Sequence, residues 1–536
     1  MNDREPRAPN TKGYSEAGAS IIRRALKGFL PNSGSPQEDI DENNYTLRQR
    51  SRLLYMASPV AASAINTNRT KVVGTGLNLR STLDPEVLHI TPEAAREWER
   101  RTEAEFALWA GDARNCDALG LNTFASLQQL ALKSWLMSGD VFVLLKRRDP
   151  TPLNPYGLRL HVVEADRVAV PGENRGALFG RAAASTIPEG QPGAGHKIYD
   201  GVEVDGDGCV VAYHICSGYP DSGFRNPDPL TWTRVLAVGQ NTGLPNVLHI
   251  MDAERPDQYR GVPYLAAVIE PLLQLRRYTE SELMAALVQS FFTAWIKTAS
   301  NPAEIPFNEV GDGTDGETPD QARSENENEY EMGPGTVTHL ERDEDIVFGS
   351  PNIPTAGFDA FVKALCRQIG AALELPYDVL IKEFNSSYSA SRGALLEAWE
   401  AIKMRRTWFV DDFCQPVYEI FLAEAVALGR IRAPGFFDDP LLRKAWCGAR
   451  WIGPVQGSLD PLKEARAALL LVDHAFKTHE QTALELGGGN WEENAVQLRR
   501  ENELLAEAGG GALAAMATQI GAGDGEGGEG GDGEGD

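Results

Sequence analysis

Phe358 to Trp399, FDAFVKALCRQIGAALELPYDVLIKEFNSSYSASRGALLEAW, puts an apolar helix, a Leu-Pro stop, a loop of Asn, Ser and Tyr, and a second helix in one run. In the first limb Phe358, Phe361, Ala364, Leu365, Ile369, Ala372 and Leu373 recur mostly three and four apart, which lines one face of a helix. Pro376 ends that limb, because a proline pushes the preceding residue, Leu375, out of the α region. The second limb is expected to start near Ser391, whose hydroxyl suits a helix N-terminus, and Ala394, Leu395, Leu396, Ala398, Ile402 and Met404 carry it onward. Between the limbs lie Asn385, Ser386, Ser387, Tyr388, Ser389, Ala390, Ser391 and Arg392. Two readings fit: a capped connection whose hydroxyls serve the backbone, or a polar finger held by two helices.

Outside this run, the 536-residue length implies three or four sub-domains at roughly 150 residues each. The six cysteines are scattered with no C-x-x-C pair, which suits reduced thiols in a cytoplasmic protein. Asp3, Arg4, Glu5 and Arg7 crowd the start, so no signal peptide is expected, and Leu283 to Ile296 is too short to span a membrane. The net charge of −25 argues against a tight nucleic-acid grip, which needs Lys and Arg on phosphates. It suits a conduit, because an acidic wall repels passing DNA.

Residues 1–44 are polar and punctuated by Pro and Gly, the pattern of a mobile arm. A helical region follows and runs into Gly74-Thr75-Gly76, a turn into a strand that lacks the third glycine of a dinucleotide loop. Val141 to Leu145 and Leu158 to Val163 read as strands, and Val202 to Ile215 reads as a hairpin turned by Asp-Gly pairs. Calcium does not fit that hairpin, since the loop position that needs a glutamate is Cys216.

From Tyr264 to Thr298 a helical pattern covers roughly 50 Å at about 1.5 Å per residue, and Pro271 either kinks it or marks its true start. Its apolar residues spread widely, so it expects neighbours on several sides, either in a bundle or in a ring of chains. Asn301 to Met332 is acidic, with Glu304, Glu309, Asp312, Glu325, Glu327 and Glu329 among its carboxylates, and suits either a solvated loop or a docking surface. A strand pair is expected around Gly335 to Val347. Helix continues beyond Trp408 through Leu422 with a kink at Pro416, Asp460-Pro461 starts further helices to about Glu507, and the Gly- and acid-rich tail from residue 509 is disordered.

Searches for chemistry return little. There is no Walker loop, His479-Glu480-Gln481-Thr482-Ala483 lacks the second zinc-binding histidine, and no G-x-S-x-G elbow occurs. The expectation is a protein that is not an enzyme, with no cofactor and no metal site.

Several motifs in register carry a resemblance: NYTLRQRSR at 44–52, VVGTG at 72–76, Leu248-His249-Ile250 with ERPDQYRGVP at 254–263, NSSYSASR at 385–392 and DPLKE at 460–464. Together they resemble the lambda-type family of tailed-phage portal proteins over about residues 44–500. One departure is Glu341-Arg342-Asp343-Glu344-Asp345, where the family tends to have a Pro-Gly-Glu turn; it touches only the tip of one hairpin.

The resemblance implies an α+β, mostly helical portal fold with wing, stem, clip and crown regions, assembled as a homo-oligomeric ring around a central tunnel, usually a dodecamer. The wing would span 45–260, the first stem helix 261–300, the clip 301–356, the second stem helix 357–376, the tunnel loop 377–391, a long wing helix and return 392–460, and the crown 461–508. The DNA-facing residues would be Lys382, Asn385, Ser386, Ser387, Tyr388, Ser389, Ser391 and Arg392, and the acidic clip would be a docking surface. The ring would sit at one capsid vertex of the virion, made in the host bacterial cytoplasm. It would pass double-stranded DNA in and later out, meeting the terminase large subunit, the major capsid or scaffolding protein, and head-tail connector proteins, with no membrane partner. Another head-tail connector or adaptor ring without the tunnel-loop role is the alternative.

Overall fold

Helix starts are written locally by one recurring signal: Thr91-Pro92, Asp439-Pro440 and Asp460-Pro461 each put an oxygen-bearing cap before a proline that already has helical φ. In this computed structural model Asp460 accepts the backbone N–H of Lys463 at 3.2 Å, so the helix start read from Asp460-Pro461 stands. The structure describes residues 33–172, 184–220, 229–291, 295–298, 344–347, 357–384, 388–457, 460–487 and 489–507. The elements are α1 (Glu42–Ala57), α2 (Pro59–Val72), β1 (Asn78–Ser81), α3 (Pro85–Leu88), α4 (Pro92–Ala110), α5 (Ala113–Cys116), α6 (Phe124–Ser138), β2 (Asp140–Arg147) and β3 (Leu158–Glu164). Then come β4 (Ala184–Thr186), β5 (Lys197–Tyr199), β6 (Val202–Val204), β7 (Val210–Cys216), β8 (Trp232–Leu236), β9 (Val247–Met251), α7 (Ile269–Phe291), β10 (Trp295–Thr298) and β11 (Glu344–Val347). The chain continues with α8 (Phe358–Ala372), α9 (Tyr377–Ile381), α10 (Tyr388–Phe409), α11 (Gln415–Ala427), α12 (Pro440–Trp446), β12 (Ala449–Ile452), α13 (Pro461–Asp473), α14 (His479–Gly487) and α15 (Trp491–Glu507). This is an α+β fold.

The chain divides into two compact units rather than three or four, because both are built from distant segments. The first takes residues 1–49, 68–263 and 399–536. Its strands form a sheet of order β3-β2-β9, a five-stranded sheet β4-β5-β6-β7-β8, and the pair β1-β12, all antiparallel. Buried Phe142, Val163, Val202, Tyr213, Ile215 and Val247 join in one apolar cluster. A second core is aromatic: Phe106 meets Phe124, Tyr418, Phe421 and Trp451 edge-on with centroids 5.2–5.9 Å apart, a geometry that suits the ring quadrupoles. The hairpin expected over Val202 to Ile215 is β6-β7, and Asp205 accepts the N–H groups of Asp207 and Cys209 to shape its turn.

The N-terminal stretch departs from the free arm expected over residues 1–44. Residues 33–41 fold against the first unit: Asp39 pairs with Arg255 at 2.6 Å, Gly34 O accepts from the same arginine, and Gln37 donates to Asp257 O. Residues 1–32 lie outside the described residues, as do 508–536.

The second unit takes residues 50–67 and 264–398. Pro271 marks the start of α7 rather than a kink, since it falls in the first turn, where its missing N–H has no helical partner to lose. The helix ends at Phe291, about 34 Å long at about 1.5 Å per residue, and Trp295 to Thr298, expected as helix, is strand β10. Its β-branched and aromatic residues suit a strand once a partner is supplied. That partner is β11, with Trp295 opposite Val347 and Thr298 opposite Glu344. Tyr278 of α7 packs on Phe358 and Phe361 of α8 at 5.4 and 4.9 Å.

Candidate functional site

The described residues from Phe358 to Phe384 fold as an elbow in the second unit. α8 ends in a tight turn in which Leu375 N donates to Gly370 O at 2.9 Å and Glu374 takes a left-handed φ of 53°. A Cβ on Gly370 would lie 2.4 Å from Leu375 O, so the close approach needs glycine there. Pro376 then starts α9. Buried Val379 and Leu380 hold α9 down, and Ser63 Oγ donates to Leu380 O at 2.7 Å. Tyr264 Oη donates to Leu373 O from the other side.

After α9 the chain turns through Lys382, which is exposed and has φ 64°. A non-glycine residue in that region is strained, and strain of this kind gathers at functional segments. The turn brings Glu383 back toward the start of α9, where Tyr377 Oη donates to Glu383 Oε2 at 2.8 Å. The Arg367 guanidinium of α8 sits 5.7 Å from the Tyr377 ring centroid. Partial burial and the bond to Glu383 push the Tyr377 phenol up to about 12, so it remains a donor across the ordinary pH range. Phe384, next along, is exposed.

The proposed contact residues divide three ways. Lys382 stands at the elbow; Asn385, Ser386 and Ser387 lie outside the described residues; Tyr388, Ser389, Ser391 and Arg392 belong to α10. The expected start near Ser391 is therefore corrected to Tyr388. Ser391 sits at the fourth position of the helix, past the capping position, because Tyr388 to Ala390 carry no proline or glycine to stop helix from forming earlier. The expected loop of 377–391 shrinks accordingly to the chain between α9 and α10. The acidic residues Glu304, Glu309, Asp312, Glu325, Glu327 and Glu329 all lie outside the described residues, which reach only the β10-β11 ribbon on either side of them.

A second polar centre was missed in the sequence. Arg48 and Arg260 sit inside two of the motifs quoted above, and in the first unit they meet one set of carboxylates. Arg260 is fully buried and binds Asp140 at 2.6 and 3.2 Å, Asp200 at 2.8 Å, and the carbonyls of Ala165 and Val168 at 2.9 and 3.1 Å. Arg48, also fully buried, binds Asp166 at 2.8 Å and Asp200 at 3.0 Å. Burial opposes the Asp140 charge, but Arg260 and the nearby His249, 3.5 Å away, outweigh it and hold that carboxyl well below the usual range. Asp41 has the opposite fate. Burial first, and then the charges of Asp200 and Asp140, push it up to about 7.

Asn44 Nδ2 donates to Gly261 O at 2.8 Å, and a Cβ on Gly261 would lie 1.9 Å from Gly139 O, so two backbones cross there without room for a side chain. A further buried carboxylate, Glu203, takes Arg234 at 2.7 and 2.8 Å, His196 at 2.8 Å and His214 at 3.0 Å; burial opposes its charge, and these bonds bring it down to about 2. The Arg48 and Arg260 centre is closed to solvent, whereas Glu203 is buried beneath the partly exposed His196 and Arg234; both suit a scaffold. Among the described residues no group of His, Cys, Asp or Glu is placed to hold a metal ion, and no helix is long and apolar enough to cross a membrane.

Two relatives align over nearly their whole length. Portal protein B of Escherichia phage lambda is 23% identical over 513 residues, covering 92% of this chain and 90% of that protein. The portal protein of Escherichia phage N15 is 23% identical over 504 residues with the same coverage. Among solved structures, the neck of a native GTA particle computed with C12 symmetry aligns with a TM-score of 0.40 and 13% identity, covering 83% of this chain and 93% of that one. The family described as phage portal protein, lambda family, matches residues 23–406, most of the chain. The chain belongs to the lambda family of phage portal proteins.

Proposed function

We propose that this portal protein assembles as a closed homo-oligomeric ring, with a dodecamer as the expected count, at one vertex of the capsid, and that double-stranded DNA passes through its tunnel in both packaging and ejection. Such a ring needs a head-to-tail contact that closes by rotation. In this reading the first unit supplies the wing and crown, α7 and α8 the stem, and the acidic stretch joined to β10 and β11 the clip. The clip is the docking surface for the terminase large subunit and later for head-tail connector proteins; the capsid or scaffolding protein meets the ring elsewhere.

The protein acts as a conduit and not as an enzyme; the force comes from the terminase. Lys382, Arg392 and the chain between α9 and α10 touch the DNA backbone without reading sequence. Net charge of −25 keeps adhesion low, so DNA slides rather than sticks.

The observation that carries this reading is the elbow: two helices hold a short, strained, exposed turn that ends in a lysine, with a polar run of Asn and Ser following it. Electron microscopy of purified protein should show rings with a central channel. Deleting residues 385–390 should leave those rings intact and lower the DNA packaged or retained. Normal packaging and retention in such rings would sink the loop assignment and favour a connector or adaptor ring.

A further inference from the structure

The tyrosine at the base of the elbow has a task that ring assembly does not require. Lys382 is the exposed cation of the turn, and no ion-pair partner stands beside it among the described residues. The next residue is a carboxylate. An unrestrained Glu383 beside Lys382 would cancel much of the lysine's field at a phosphate, since two opposite charges about 4 Å apart attract even near a protein surface. The Tyr377 hydroxyl takes Glu383 Oε2 at 2.8 Å and ties it back to the first residue of α9. The tyrosine is itself fixed, with Arg367 against its ring and α9 pinned through Leu380. The same bond closes the turn across Lys382 and so holds its left-handed backbone, which a residue with a Cβ adopts only under constraint.

We infer that Tyr377 is a positioning residue for DNA contact: by holding Glu383 against α9 it keeps Lys382 exposed and in a fixed direction as a phosphate ligand. This rests on the proposed role of the elbow in touching DNA. It adds a part that the contact residues themselves do not supply, a donor on the helix side of the turn.

The test uses purified full-length rings and a short blunt DNA duplex, with binding measured as a function of salt. Lys382→Ala should weaken binding and flatten the plot of log affinity against log salt, by roughly 0.9 for each phosphate that is no longer neutralised. Tyr377→Phe removes only the donor, and should lower affinity by about threefold to tenfold with rings intact and only a small fall in melting temperature, as expected when one charge-assisted hydrogen bond is removed.

The sharper arm compares two variants of the acceptor. Glu383→Gln and Glu383→Ala both remove the charge, but only Gln still accepts from the tyrosine hydroxyl. Gln should bind DNA at least as well as wild type, and Ala should bind several-fold more weakly than Gln. Equal binding by Gln and Ala overturns the positioning role even if Tyr377→Phe fails to fold. If Lys382→Ala and deletion of 385–390 both leave affinity and salt dependence unchanged, the DNA-contact reading itself has failed; if they lower both while Tyr377→Phe matches wild type, only the inference about Tyr377 has.

Discussion

The ionic centre around Arg260 and the elbow around Lys382 spend polar groups in opposite ways. In the first, two guanidinium groups and at least three carboxylates are sealed from water, and every Arg260 nitrogen has a partner. In the second, a strained turn that lies open to solvent is tied to its helix by contacts that include the Tyr377 to Glu383 hydrogen bond and the Arg367 to Tyr377 ring contact. Buried ion pairs add little net stability over an apolar core, yet breaking one is costly because the partner is left charged and dry. They suit a frame whose parts must meet in one way only. An exposed turn carries no such penalty, so its sequence is free to follow the ligand.

The largest effect should come from Arg260→Ala, which strands Asp140 and Asp200 and should cost about 3–5 kcal/mol in urea denaturation. A loss under about 1 kcal/mol would show that the centre does not act as a frame.

Asp41 tests the same centre by pH. It faces Arg48 from α1, Asp140 from β2, and Asp200 and Arg260. Because its folded value, about 7, lies above the ordinary 3.8, its contribution is complete below about pH 4 and is lost as pH rises through about 7, a swing on the order of 4 kcal/mol. Asp41→Asn should remove that dependence, so that the variant gains on wild type between pH 5 and 8. A difference between the two proteins that stays constant over that range would contradict the assignment.

Glu203 should behave inversely. Its value of about 2 lies below the ordinary 4.5, so its stability is present above about pH 4.5 and disappears as pH falls through about 2. Glu203→Gln should lose about 2–3 kcal/mol at pH 7 and progressively less in acid.

In the elbow, Gly370→Ala forces a Cβ against Leu375 O and should cost about 1–3 kcal/mol. The smallest change should be Lys382→Gly, which relieves the positive φ and should stabilise by about 1 kcal/mol while DNA binding falls. A stabilised protein that binds DNA less well would separate the two regions most directly: no such trade is available at Arg260.

What could be read in the sequence was what local chemistry writes. Pro376 marked the break before α9, although α8 ends earlier, at Ala372, in the left-handed turn at Glu374; Asp460-Pro461 opened α13, Asp205 turned the hairpin, and Gly74-Thr75-Gly76 led into β1. What could not be read depends on partners far along the chain. β10 looks helical until β11 is supplied from beyond the acidic stretch. Arg48, Asp140, Asp166, Asp200 and Arg260 look like surface residues one at a time, and only the fold shows that they are shared by one dry site. In the elbow, the proline and the polar run marked the place, whereas the Tyr377 to Glu383 bond depends on Lys382 taking a left-handed turn that no composition signals.

The pairing of β1 with β12 also sets a clock. Asn78 lies opposite Ile452, so the first unit cannot close its β1 edge until residue 452 has left the ribosome. At about 5–20 residues per second, the chain from Asn78 to Ile452 takes roughly 20–75 s to make. The second unit, complete at residue 398, is delivered well before that edge is sealed. A nascent chain therefore spends most of its synthesis with an unfinished first unit.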